Sequence, residues 1–262
     1  MQVIVKITEF FLLSMSFGVS FFSFIAKSEL TGAGFLKLIY NICLVSLGLG
    51  FVCNLSSGSV AGAKSLFYLI SFFLLFLSSF FHKDEKSFSM WCLYFLQTAS
   101  LLILLYLFQG NPGKIADGGL FSYFFILSSS LFLGIITYSM LLGHWYLVVP
   151  KLSERPLKVA LIFTWLIMLL KFLLTCTALV KDVGFFLEGS RLGAGYMFNW
   201  IILAMRLAWG YLIIGIMSYF TWKLVKMRSI QSATGILYVM TFFVFIGELI
   251  STFIFYKYGM YL

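Results

Sequence analysis

Three ionisable side chains stand where the surrounding sequence is almost wholly apolar. Lys171 is flanked by Leu169, Leu170, Phe172 and Leu173, Arg206 by Met205 and Leu207, and Glu248 by Phe245, Ile246, Leu249 and Ile250. Two cations and a carboxylate can together hold an anion, hydrogen-bond a carbonyl-bearing ligand, or pass a proton. In hydrocarbon each such charge costs roughly 2.5–3.5 kcal/mol on insertion scales, so these groups are expected to face a helix-bundle interior and to find partners. Counting from the helix ends on one side, Lys171 is nine residues before Val180, Arg206 ten after Tyr196, and Glu248 eight before Tyr256. At ~1.5 Å per residue all three lie ~12–15 Å below the same surface. One shared cluster is the expectation, with a formal excess of one positive charge. That excess requires a neutral Lys171, a ligand, or a carboxylate from another subunit.

Residues seven apart share a helix face, and such spacing surrounds the three charges with polar neighbours. The sixth apolar run carries Thr164, Lys171 and Thr175, and the seventh carries Asn199, Arg206 and Gly210. The eighth carries Tyr238, Thr241, Glu248 and Thr252, and the fifth carries Ser130, Thr137 and His144. The candidate ligand- or proton-binding set is therefore Lys171, Arg206, Glu248, His144, Asn199, Thr164 and Thr241. His144 sits in the segment Gly143–Pro150 and at the opposite surface from the charges. It is read either as a proton carrier or donor to a quinone-like carbonyl, or as an interfacial histidine with a satisfied ring nitrogen. The first four runs offer only Asn41, Gln97 and Thr98, with Glu9 near an end. They are expected to form a lipid-like, Phe-rich half without a polar interior.

The elements that position these residues follow from composition. The 262 residues are 62% hydrophobic and 10% charged, against about 45–50% and about 25% for soluble domains. Soluble, disordered and collagen-like classes are excluded. Runs of about 20 apolar residues span a bilayer as helices, and eight occur, over 7–26, 35–55, 65–81, 88–108, 120–142, 159–180, 196–220 and 233–256. They are too long and uniform for barrel strands. The predicted fold class is all-α, a polytopic integral membrane protein with a bundle of about eight transmembrane helices in one domain. The first run is read as a retained helix: Ser23–Ala26 lacks a small-x-small cleavage pattern, and Glu9 interrupts the approach.

Net charge is +9, which positive loops of a membrane protein explain without nucleic acid. Ten cations fall on the odd-numbered loops and their helix ends: Lys27, Lys37, Lys83, Lys86, Lys151, Arg155, Lys158, Lys223, Lys226 and Arg228. Six fall opposite: Lys6, Lys64, Lys114, Lys181, Arg191 and Lys257. The positive-inside rule then places odd loops in the cytoplasm, both termini outside, and the chain in the cell (inner) membrane. Cys43, Cys53, Cys92 and Cys176 show no CxxC pair and read as small apolar residues. His82 and His144, the two histidines, cannot form a transmembrane haem pair, and no metal site is expected. P-loop, HExxH and GxSxG motifs are absent, as is an acidic cluster for Mg²⁺.

With no self-contained catalytic motif, the expected role is a non-catalytic membrane subunit of a multi-subunit, bacterial-type energy-transducing or electron-transfer complex. Its polar site in the fifth to eighth helices would serve a quinone-like ligand or protons, its partners being membrane lipid and other membrane subunits. A quinone or bound lipid is the only cofactor class the sequence suggests. Two alternatives stand open: a structural or assembly subunit without ligand, and a small-anion or ion transporter or channel.

Overall fold

The computed structural model describes residues 2–26, 31–56, 62–81, 88–108, 119–149 and 152–262, and among them only helices and their connections occur. Eight helices are long and apolar enough to cross a membrane. They are α1 (Gln2–Phe21, tightening into a 3₁₀ turn at Phe22–Ile25), α2 (Ala33–Ser56), α3 (Ala63–Phe81), α4 (Phe88–Phe108), α5 (Leu120–Val148), α6 (Arg155–Lys181), α7 (Tyr196–Lys226) and α8 (Ile230–Tyr258). The chain is a multi-pass membrane protein of all-α class.

Most helix ends lie within a few residues of the expected ones, but two correct the sequence reading. α5 continues past the expected end at Leu142 to Val148, which carries His144 on the same helix as Ser130 and Thr137. Gly143 lets α8 come close, since a Cβ there would stand 3.0 Å from the Leu237 and Thr234 side chains, and Trp145 and Tyr146 tie the helix end to the loops. Trp145 Nε1 donates to the Thr31 carbonyl at 2.6 Å, and Tyr146 donates to the Ser153 carbonyl at 2.8 Å. α7 likewise continues past Phe220 to Lys226, with Val225 buried in the core. Lys27, His82, Lys83, Lys86, Lys114, Pro150 and Lys151 lie outside the described residues.

α5 is the hub. Of its apolar span 78% is buried, against 33% to 56% for the other helices, and it packs against α1, α6 and α8. α1 also packs on α2, while α3 lies against α2 and α4, and α7 against α6 and α8. A close crossing lies at Gly18 of α1 and Gly134 of α5, where a Cβ on either residue would run into the backbone of the other. Small residues at such crossings let backbones approach in lipid, where no hydrophobic drive holds helices together. Outer faces carry Phe73, Phe80, Phe95, Leu166, Phe220 and Phe242, all exposed.

The interior is richer in serine and threonine than the outside, and this holds in both halves. Glu9 is buried in the first half, paired with Lys64 at 2.6 Å and accepting from Tyr68 Oη at 3.0 Å. Ser78 donates to Gln97 at 2.7 Å and Asn54 donates to Ser65 at 3.0 Å. The expected Phe-rich half without a polar interior is therefore corrected. Spacing within one helix gave no sign of Glu9–Lys64–Tyr68, because its members come from α1 and α3.

Past α8 the chain turns at Gly259, in left-handed conformation (φ 72°), and Met260–Leu262 fold back into the bundle. Tyr261 Oη shares a hydrogen bond with Ser122 at 2.6 Å, Ser251 donates to the Leu262 carbonyl, and Leu262 clusters with Ile202 and Leu203 of α7. This brace sits one turn before Arg206.

Candidate functional site

Among the described residues Arg206 is the largest fully buried side chain, and two glycines make its seat. A Cβ on Gly210 of α7 would stand 2.8 Å from Arg206 Nη1, and one on Gly247 of α8 would stand 3.0 Å from the same atom. Nη2 donates to Glu248 Oε1 at 2.7 Å, and both side chains are closed to the surface. The contact uses one oxygen and one nitrogen. Arg206 Nε and Nη1 and Glu248 Oε2 are buried with no hydrogen-bond partner among the described residues. A bidentate fork is the stronger arrangement for this pair, and the geometry here is a single-point contact with three open polar atoms.

α7 departs from α geometry directly after Arg206. Residues Ala208–Ile213 form a π-helical stretch, with i→i+5 bonding. That pitch brings Tyr211, five residues on, to the same side as Arg206. Arg206 Nη2 donates to Tyr211 Oη at 3.3 Å, and Tyr211 Oη shares a hydrogen bond with Thr175 Oγ1 of α6 at 2.7 Å. Thr175 in turn donates to the Lys171 carbonyl at 3.0 Å. Tyr211 Oη also reaches the Lys171 carbonyl at 3.4 Å, so guanidinium, phenol, threonine and that carbonyl form one connected network. Tyr211 is held flat against Phe132 (ring planes 22° apart) and edge-on to Phe172.

Lys171 joins the site through its backbone, while its ammonium turns the other way. Nζ donates to Ser129 Oγ and, at 3.4 Å, to the Phe125 carbonyl of α5, and lies 3.3 Å from the Phe125 ring centre. Two acceptors and an aromatic face replace the carboxylate that a buried ammonium would otherwise need. The three charges thus stand on adjacent helices as two units: the Arg206–Glu248 pair, and a separately held Lys171.

The other candidates lie elsewhere. Asn199 is a loop anchor, donating to the Phe185 and Leu192 carbonyls at 2.9 Å each and accepting from the Ala194 amide at 3.3 Å. Thr164 and Thr241 donate to carbonyls of their own helices, Ala160 at 3.0 Å and Leu237 at 2.8 Å. His144 is exposed and its Nδ1 shares a 2.6 Å hydrogen bond with Tyr238 Oη of α8. Along α5 the stripe also separates, since Ser130 donates to Ser14 of α1 at 2.9 Å while its neighbour Ser129 meets Lys171. Tyr211 and Ser129 were missed in the sequence: same-face spacing of four or seven residues selects Gly210 and Ser130, each one position away.

An open groove of about 550 Å³ runs between α6 and α7 on the outer surface. Met168, Phe172, Leu207, Leu212 and Ile216 line it, and Tyr211 is the one side chain with a polar group among its lining residues. The same tyrosine therefore borders a lipid-facing groove and hydrogen-bonds the buried guanidinium. Among the described residues no group of three or more His, Cys, Asp or Glu is placed to hold a metal ion. No family model, curated protein or solved structure matches the chain.

Proposed function

We propose that this chain is an integral membrane subunit that holds a quinone-like, carbonyl-bearing ligand between α6, α7 and α8. The observation that carries the reading is the half-satisfied Arg206–Glu248 pair beside a groove bordered by Tyr211. Arg206 Nε and Nη1 are donors suited to a carbonyl oxygen, and Glu248 Oε2 is an acceptor suited to the hydroxyl of the reduced form. Pockets of about 300–1,000 Å³ with few convergent polar groups suit a small ligand, and this groove opens where lipid-soluble molecules diffuse. Electrons would come from partner subunits of an energy-transducing complex, since the chain has no redox ligands of its own in sequence. In this reading the connections α1–α2, α3–α4, α5–α6 and α7–α8 face the cytoplasm across the inner membrane. Lys37, Arg155, Lys158, Lys223, Lys226 and Arg228 support that orientation.

A structural reading is favoured by one observation, the Glu9–Lys64 pair, which ties α1 to α3 with no groove needed. Extraction and chromatography of quinones from natively purified protein separate the two. The ligand reading expects quinone in stoichiometric amount, with the content falling at least several-fold in Tyr211→Phe while the protein stays folded. Protein free of quinone, or Tyr211→Phe with undiminished content, overturns it in favour of a structural tie.

A further inference from the structure

Asn41 lies on α2 eight residues after Ala33, ~12 Å along the helix axis and so within the hydrocarbon. Its side chain is exposed on the outside of the bundle. Oδ1 accepts from Ser79 Oγ of α3 at 3.2 Å, and the Nδ2 amide has no partner among the described residues. Acyl chains have no acceptor to offer at this depth, and an amide donor left in hydrocarbon is strongly unfavourable. Around it the surface is shaped to receive something. A groove of about 320 Å³ follows α1 and α2, lined by Leu12, Met15, Asn41, Ile42, Val45 and Leu49. Asn41, Val45, Leu49 and Val52 continue as an exposed stripe at helical spacing, the last three 64%, 53% and 60% exposed.

We propose that this α2 stripe is a homodimer contact, in which a second copy of the chain meets the first across a two-fold axis along the membrane normal. Copies inserted with one topology carry Asn41 at one depth, so the axis brings Asn41 against Asn41. The carboxamide is self-complementary: Nδ2 of each copy donates to Oδ1 of the other, and each Oδ1 keeps one lone pair for Ser79. Such reciprocity is the mark of a two-fold interface, and buried amides are established ties between membrane helices. A helix from another protein would need a polar group at the same depth; a second copy supplies it by construction. This contact is independent of the ligand reading at Arg206.

The test is subunit counting by single-molecule fluorescence in liposomes across a range of protein-to-lipid ratios. The full chain is expected to pass from monomer to dimer with increasing density, and Asn41→Leu to weaken the dimer about tenfold or more. Asn41→Gln keeps the amide and should retain most of the affinity. In a background with the four cysteines replaced by alanine, Val45→Cys is expected to form a disulfide-linked dimer, and Leu166→Cys on α6 is not. Thermal unfolding of each variant checks that the bundle is intact. A monomer at every ratio, a dimer equally stable in Asn41→Leu, or cross-linking at Leu166 and not at Val45 overturns the proposal.

Discussion

Arg206 and Glu248 meet through one nitrogen and one oxygen at 2.7 Å, in a slot that only glycines at 210 and 247 leave open. The slot has two consequences. It lets a guanidinium lie between two transmembrane helices without prising them apart, and it leaves Arg206 Nε and Nη1 and Glu248 Oε2 buried and unpaired among the described residues. Both polar contacts of Arg206, to Glu248 Oε1 and to Tyr211 Oη, leave from the single nitrogen Nη2.

Removing one partner should cost far more than removing both. Breaking a buried ion pair leaves an uncompensated charge and typically costs about 3–5 kcal/mol, whereas an apolar pair of similar volume is close to neutral. Glu248→Ala is therefore expected to unfold at clearly lower temperature in nanodiscs than the unsubstituted chain. The double variant Arg206→Met/Glu248→Leu should recover most of the loss. Additive losses in the double variant contradict a direct pairing.

The eight helices were legible because hydrocarbon imposes one rule on every span: about 20 apolar residues and internally satisfied backbone. Lys171, Arg206 and Glu248 were legible for the same reason, as violations of that rule. What the sequence hid is relational. Tyr211 reaches Arg206 only because α7 takes a π-helical pitch at Ala208–Ile213, which seven-residue spacing does not describe. Glu9 looked peripheral on α1 until Lys64 and Tyr68, more than 50 residues on, were brought beside it. Asn199, conspicuous on the Arg206 face, spends its amide on the preceding loop.

Tyr211→Phe removes the link between guanidinium and threonine without changing volume. A net loss of about 0.5–1.5 kcal/mol follows for a typical hydrogen bond, with more where a buried charged donor is orphaned. Thr175→Val should cost less, since Tyr211 Oη keeps the Lys171 carbonyl as an acceptor at 3.4 Å and α6 keeps its backbone bonds. The pair of variants, compared by thermal unfolding, tests whether the network runs through Tyr211. Equal losses from both would argue that it does not.

Gly18 and Gly134 set the α1–α5 crossing, and the neighbours of a new Cβ there are backbone atoms that cannot rotate away. Gly18→Ala or Gly134→Ala should cost at least the ~1–3 kcal/mol of an overpacked core. Gly210→Ala meets chiefly the end of the Arg206 side chain and should cost less fold stability while disturbing the Arg206 pair. Matching thermal midpoints for Gly18→Ala and the unsubstituted chain would refute the close crossing.

Glu154, in the connection before α6, predicts an acid-dependent change outside the bundle. Its own backbone amide and then the Lys158 ammonium, at 3.2 Å, hold its carboxyl below the ordinary value of 4.5, helped by Arg228 at 3.6 Å. A lowered value means that the ionised form stabilises the fold. The contribution is complete above pH 4.5 and fades as pH falls through the lower folded value. Protection of the amides at residues 226–230, taken relative to their intrinsic exchange rates, should therefore fall on acidification in that range. Glu154→Gln should exchange faster at neutral pH and lose the acid response.

Glu9 and Lys64 offer the contrast that separates burial from pairing. Glu9 is as enclosed as Glu248, but Lys64 retains 24% exposure, lies 4.1 Å from the Phe108 ring centre, and sits one residue after the start of α3. When Glu9 is removed, the Lys64 ammonium has water within reach, so Glu9→Gln is expected to be mild. When Lys64→Met is made, Glu9 keeps only the Tyr68 hydroxyl and stays buried, and about 2 kcal/mol is expected, between exposed and fully buried pairs. Adding Glu9→Gln to Lys64→Met should then restore stability, since the buried charge is gone. At Arg206–Glu248 neither partner can reach water, so both single losses should be severe. A symmetric response at Glu9–Lys64, with Glu9→Gln as damaging as Lys64→Met, would mean that Lys64 too is sealed from the interface.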